Sequence, residues 1–295
     1  MNIIKPNPLQ KGDTIAILAT AGAVESKENV LRAKKFFENE GYKVKISDNA
    51  FSEYRYLSGT DAEKIKNIHH FFEDDEVKAI ICMRGGYGAI RLIKNINYEI
   101  IKNNPKIFCG YSDITALSLM MLKHANLMTY SGPLAQSDFG VEKQNKNTIK
   151  SFFETINNEK FEYDAPETYR EGVAEGILWG GNLATVTSLC GQDFIPNEGF
   201  IFFTEELNEP AYKIDKMMTQ LLNIDEFKAN LKGIILGDFL DIDNTQWLDE
   251  IFTEIGNNLN IPIYKGFKIT HLPEKITIPI GARAKMSSKK LEIIK

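Results

Sequence analysis

The chain has 295 residues, and 35 Lys and Arg against 40 Asp and Glu leave a net charge of −5, so nothing in the charge favours a polyanionic partner such as a nucleic acid. With 43% hydrophobic and 25% charged residues the composition is that of a folded globular protein, and 21 Gly with 10 Pro are too few for a low-complexity polymer. The length exceeds what one domain usually holds, so two are expected. From Met1 to Asp13 the few apolar residues are interrupted by Lys5, Pro6, Pro8 and Lys11, and no signal peptide is expected. The uncharged stretch from Gly176 to Gln192 carries four glycines with Asn182, Thr185, Thr187 and Ser188, too polar to span a bilayer. Cys82, Cys109 and Cys190 lie far apart, which fits neither a disulfide framework nor a CxxC metal or redox site; buried thiols in a reducing cytoplasm are expected.

In chain order, Thr14 to Leu18 is β-prone, and after a polar break Ser26 to Glu40 places Val30, Ala33, Phe36 and Phe37 on one helical face, closed by Gly41. Val44 and Ile46 suggest a short strand. Thr60 with Glu63 three residues on forms a capping box for a helix carrying Ile65, Ile68 and Phe72. The apolar run Val77 to Met83 ends in Arg84-Gly85-Gly86-Tyr87-Gly88, and a short helical pattern follows through Ile90 and Ile93. Lys106 to Cys109 then runs into Gly110-Tyr111-Ser112-Asp113 and a helix from Ile114 to about Lys123. Strands alternating with helices predict a doubly wound, mostly parallel α/β sheet with flanking helices over residues 1–140. Residues 141–171, polar and without local pattern, read as a linker. Residues 172–295 read as a β-rich domain with helical insertions, the clearest holding Ile214, Met217, Met218 and Leu221.

Candidate chemistry starts at Ser112. A serine at a sharp strand-to-helix turn has an exposed hydroxyl, and the N–H of the next residue, Asp113, can bind an oxyanion with help from the helix dipole. Taken alone, a helix-capping serine explains the same fragment. The glycine run supplies a second candidate N–H at Gly86, with Arg84 above the cleft to pair with a carboxylate, or it is only a tight turn. A phosphate cradle is disfavoured, because the run matches neither GxGxxG nor GxxxxGK[ST]. Of four histidines, His69 and His70 sit in a helix and His124 lies roughly 18 Å along the helix from Ser112. His271, in a loop before Pro273, is the base candidate, and Glu205, at the end of the apolar run Phe202-Phe203-Thr204, is the candidate to orient it.

Together and in order, these segments resemble the serine LD-carboxypeptidases, or muramoyltetrapeptide carboxypeptidases, whose relatives include the microcin immunity peptidases. The motifs are Lys11-Gly12-Asp13-Thr14-Ile15, Met83-Arg84-Gly85-Gly86-Tyr87-Gly88, Gly110-Tyr111-Ser112-Asp113, Ser131-Gly132-Pro133, Gly180-Gly181-Asn182-Leu183, Phe203-Thr204-Glu205-Glu206 with Glu209-Pro210-Ala211-Tyr212 after it, and Pro279-Ile280-Gly281-Ala282-Arg283 beyond His271. The resemblance implies a homodimeric serine peptidase without metal or cofactor, which releases a C-terminal D-amino acid from a murein tetrapeptide through a Ser112, Glu205 and His271 triad. Arg84 and Trp179 are the candidate substrate contacts, Trp179 either packing under the Gly-Gly loop or presenting its ring. Thr20-Ala21 replaces the family's Pro-Ser, and Ser131 replaces a His, which leaves substrate preference open. The alternatives are a microcin-immunity-like amidase acting on peptidyl or aminoacyl nucleotides, and a nonhydrolytic sugar- or nucleotide-binding module. In none of the three is a nucleic acid or a membrane a partner.

Overall fold

The computed structural model describes residues 2–159, 162–165 and 167–294. Its first part runs β1 (Thr14–Leu18), α1 (Lys27–Asn39), β2 (Lys43–Ile46), α2 (Asp61–Glu73), β3 (Val77–Cys82), α3 (Tyr98–Asn103), β4 (Ile107–Cys109), α4 (Thr115–Ala125) and β5 (Thr129–Ser131). Short 3-10 turns at Ala89–Arg91 and Ser112–Ile114 lead away from β3 and β4. Ser26 caps α1 by accepting from the Asn29 N–H, and Thr60 and Glu63 form a reciprocal capping box on α2. β1 to β5 pair in parallel in the order β2-β1-β3-β4-β5, with every residue of β1 and β4 buried, as strands covered on both faces require.

The expected linker is structured. It contains α5 (Lys146–Ile156), β6 (Glu162–Asp164) and β7 (Glu167–Arg170); its residues 160, 161 and 166 lie outside the described residues. The chain continues through β8 (Ala174–Asn182), α6 (Leu183–Ser188), β9 (Phe200–Leu207), α7 (Ala211–Leu222), α8 (Asp225–Asn230), β10 (Leu231–Leu240), α9 (Thr245–Leu259), β11 (Ile263–Lys265), β12 (Ile278–Ile280), β13 (Arg283–Ser287) and β14 (Lys290–Ile293). A second sheet runs β6-β14-β13-β8-β9-β10-β11-β7, parallel from β8 to β11 and antiparallel elsewhere. β12 does not join it. It returns to the first sheet and pairs antiparallel with β5, so the late chain completes the early sheet before re-entering its own.

One face of the first sheet packs Ile15, Ile17 and Ile81 against Val30, Phe37 and Phe152. Its other face, with Leu18 and Ile80, forms a core with α2 and α4 that is continuous with Trp179, Phe200 and Phe202 of the second sheet. Lying between the two sheets, α4 has only Lys123 and His124 less than buried, which is why it lacks an apolar stripe. Among the described residues no helix is long and apolar enough to cross a membrane. The three cysteines are unpaired, Cys82 and Cys109 buried and Cys190 half-buried.

Candidate active site

The order β2-β1-β3-β4-β5 reverses direction between β1 and β3, and ligands of such sheets bind beyond the carboxyl ends of the strands near that reversal. The Gly22 N–H after β1 donates to the Gly85 carbonyl after β3 at 3.2 Å, bringing the two loops together there. After β4 the chain turns so sharply that Ser112 takes a φ of +63°. This left-handed backbone is unfavourable for a residue with a Cβ, and it lifts the side chain off the end of the strand. Gly85 lies against it: a methyl group there would sit 3.1 Å from the Ser112 Cβ and 3.2 Å from its Oγ. Only a glycine lets the loop approach the hydroxyl this closely. Gly86, with a φ of +104°, and Asp113 line the same cleft of about 320 Å³ as Ser112.

His271 enters this cleft from the return segment between β11 and β12. Its Nδ1 lies 2.8 Å from Oε2 of Glu205, a carboxylate only 3% exposed near the end of β9. The Tyr111 ring meets the imidazole edge-on, with centroids 5.0 Å apart, which fixes the plane of the ring. Lys275 in turn donates to the Tyr111 hydroxyl at 3.4 Å and is ion-paired with Asp138, both charges being buried. Glu206 faces the other way. Its carboxylate accepts from Asn182 Nδ2 at 2.8 Å, the Ala184 N–H at 2.6 Å and the Leu207 N–H at 2.9 Å, while burial raises its pKa. Adjacent glutamates thus divide, one to the imidazole and one to the wall of the cleft formed by Asn182, Ala184 and Thr185.

The cleft therefore collects Ser112, Gly86, Asp113 and His271, with Glu205 directly behind the imidazole. Two expected substrate contacts are placed elsewhere. Trp179 is fully buried, its ring packed among Phe194, Phe200, Phe202 and Phe227 at centroid distances of 5.0–6.0 Å, so the packing alternative holds and no face is open to a ligand. Arg84 turns back over the loop after β1, where Nη1 donates to the Ala23 carbonyl at 2.8 Å and pairs with Glu25 at 2.8 Å; its guanidinium does not line the cleft. No Lys or Arg does so among the described residues. Sequence reasoning did not single out the Tyr111, Lys275 and Asp138 set. Lys275 sits alone in a Leu-Pro-Glu-Lys-Ile loop, and nothing in that string announces a buried ammonium.

The positive-φ Ser112 and the carboxylate-backed His271 line one cleft on a parallel sheet joined to a second mixed sheet, an arrangement of the kind found in serine hydrolases. The LD-carboxypeptidase N-terminal domain matches residues 15–132 and the LD-carboxypeptidase C-terminal domain matches residues 175–286. A probable murein peptide carboxypeptidase of Bacillus subtilis is 34% identical over 294 residues, covering 96% of this chain and 92% of that protein. The chain belongs to the LD-carboxypeptidase family, whose members are serine-type peptidases. Among solved structures, an MccF-like protein from Bacillus anthracis superposes with a TM-score of 0.90 at 29% identity, covering 99% of each chain. A muramoyltetrapeptide carboxypeptidase from Oxalobacter formigenes does so at 0.86 and 28%, covering 96% of this chain and 99% of the other.

Proposed function

We propose that this protein hydrolyses the bond between an L-centre residue and the terminal D-amino acid of a murein tetrapeptide, with Ser112 as nucleophile, His271 as base and Glu205 as the acid that orients it. The observation that carries this reading is the 2.8 Å contact of His271 with Glu205 at the wall of the cleft that Ser112 enters on its positive-φ turn. With Nδ1 bonded to Glu205, Nε2 is the nitrogen that takes the Ser112 proton as Oγ bonds to the carbonyl carbon. The N–H groups of Gly86 and Asp113 hold the resulting oxyanion. The C–N bond then breaks, and the imidazolium gives its proton to the departing amine. Water, deprotonated by the same nitrogen, attacks the acyl-enzyme, and the proton returns to Ser112. Glu205 stabilises the imidazolium between the two transfers.

Replacing Ser112 by Ala removes the bond-forming atom and leaves binding groups in place. Release of D-alanine from a murein tetrapeptide, followed by chromatography, is expected to fall by about 10⁴-fold or more with substrate affinity retained. Turnover by S112A within tenfold of wild type would overturn the reading. The likeness to the microcin C7 self-immunity protein MccF, solved in complex with aspartyl sulfamoyl adenosine, supports a second substrate class on the same residues, an aminoacyl nucleotide amide. Assaying the tetrapeptide beside an aminoacyl sulfamoyl-adenylate separates the two, because a cleft shaped for a peptide terminus turns over the first and leaves the second intact.

A further inference from the structure

The oxyanion site proposed above is assembled from two loops that are remote in sequence, one after β3 and one after β4. A donor pair of this kind works only if its two members keep their spacing to within a fraction of an ångström. One side chain spans the gap. The Asp113 carboxylate, 7% exposed, accepts the Ala89 N–H through Oδ2 at 2.8 Å, so the residue whose N–H is one donor also grips the loop that carries the other, three residues beyond Gly86.

Beneath this bridge lies Lys64 of α2, with no exposed surface. A methyl group on Gly88 would sit 3.4 Å from its Nζ, which places the ammonium directly under the glycine loop. Nζ pairs with Asp61 at 3.1 Å, and Asp61 also accepts from Arg91 at 2.7 and 3.0 Å. Because Arg91 ends the same turn that Ala89 begins, the loop is held from both sides, by Arg91 on α2 and by Asp113 on the nucleophile turn. Around the Asp113 carboxyl, Lys64 acts from α2, and from β3 the Cys82 thiol faces it, kept protonated by burial. Burial pushes the carboxyl up to about 6, against the Ala89 bond and the Lys64 charge, which act to keep it ionised.

We infer that Asp113 is a positioning residue, whose carboxylate locks the Gly86 and Asp113 N–H donors into one oxyanion site, and that Lys64, packed beneath the same glycine loop, acts on that carboxylate. The inference rests on the reading of Ser112 as nucleophile. Steady-state tetrapeptide hydrolysis by the full chain tests it with wild type, S112A, D113A, D113N, K64M and D113N/K64M. D113A is expected to lower kcat by about 10²-fold with KM within about threefold, the signature of a donor lost in the transition state. D113N should recover about tenfold of that loss, because its amide oxygen can still accept from Ala89. K64M should move the acid limb of kcat to higher pH, since a carboxyl without its neighbouring cation protonates more readily. The shift should vanish when D113N and D113N/K64M are compared.

A folded D113A with wild-type kcat, or D113N no better than D113A, overturns the positioning role. So does a K64M shift that persists in the D113N background. If D113A does not fold, the Lys64-dependent shift decides alone, its presence in the wild-type background and its absence in the D113N background supporting the inference. Wild type that leaves the tetrapeptide intact defeats the substrate assignment, and S112A that cleaves it defeats the nucleophile assignment, so these failures are distinguishable from failure of the positioning role.

Discussion

Ser112 is held where an L-residue is least comfortable, at a φ of +63°. The left-handed region costs a residue with a Cβ about 1–2 kcal/mol, and such strain persists only when the surroundings dictate it. Here the surroundings are Gly85 packed on the Ser112 Cβ and the Asp113 bond to Ala89. The consequence is separable from catalysis. S112G and S112A both lack the nucleophile, yet S112G should unfold about 1 kcal/mol later than S112A, a gain in Tm of roughly 2 °C for a chain this long. Calorimetry of the two variants measures it, and an S112A chain as stable as S112G would show that the turn carries no strain. What the sequence makes legible at this scale is residue type and order: Ser112, Glu205 and His271 each stand in a local string that suits the role proposed for it. What it leaves out is the partner. Arg84 follows a strand as a cleft cation would, but Glu25 and the Ala23 carbonyl claim it, and no string of letters records a contact made across 59 or more positions. Trp179 next to two glycines looks equally available until four phenylalanines from later segments close around it.

Elements were legible wherever burial is apolar. β1, β4 and β5 are short runs buried on both faces, and α1 and α2 announce themselves by an apolar stripe and a cap. α5 was not, although its inward positions Thr148, Ser151, Phe152, Thr155 and Ile156 follow helical spacing. Three of the five are hydroxyls, so the stripe that faces the protein is half polar and the segment reads as linker. β12 escaped for another reason: sequence order assigns it to the second unit, and only the fold shows it completing the first sheet. The second sheet makes its own demand at the β8–β9 pair, which presents Asn182 and Glu205 to the site as direct register partners. Gly180, two residues before Asn182, has a φ of +142°, and a Cβ there would stand 1.9 Å from the Phe203 carbonyl oxygen. Backbone cannot yield as a flexible side chain does, so G180A is expected to cost about 3 kcal/mol or more and to disturb the strand that bears Glu205. Urea unfolding checks this, and a midpoint within experimental error of wild type would mean that β8 and β9 can separate without penalty.

At the scale of the whole molecule, the base of the proposed triad is placed by a segment that belongs to neither sheet alone. From His271 to Ile278 the chain leaves the second sheet for the first, and α5 holds it along the way. Thr148 donates to the Pro273 carbonyl at 2.8 Å and accepts the Lys275 N–H at 2.9 Å, while Ser151 accepts the Thr277 N–H at 3.0 Å. The hydroxyls that hide α5 in the sequence are thus the groups that satisfy this crossing backbone, which is exposed at Leu272 and Pro273 and turns inward at Lys275 and Thr277. Lys275 fastens the same segment to the first unit through Asp138, whose other oxygen caps the turn after β5 by accepting the Leu134 N–H at 2.8 Å. Removing one member of a buried ion pair strands the other, at a cost of about 3–5 kcal/mol, whereas removing both charges leaves no orphan. K275M should therefore destabilise strongly and lower kcat by loosening His271, and D138N should destabilise less because its amide oxygen keeps the Leu134 bond. The double variant K275M/D138N should fall short of the sum of the singles by about 1–3 kcal/mol, the coupling expected of groups in direct contact. Urea denaturation of the four chains gives the cycle. Strict additivity would mean that the pair does not tie the crossing segment to the first unit, and that His271 owes its place to Glu205, Tyr111 and the α5 hydroxyls.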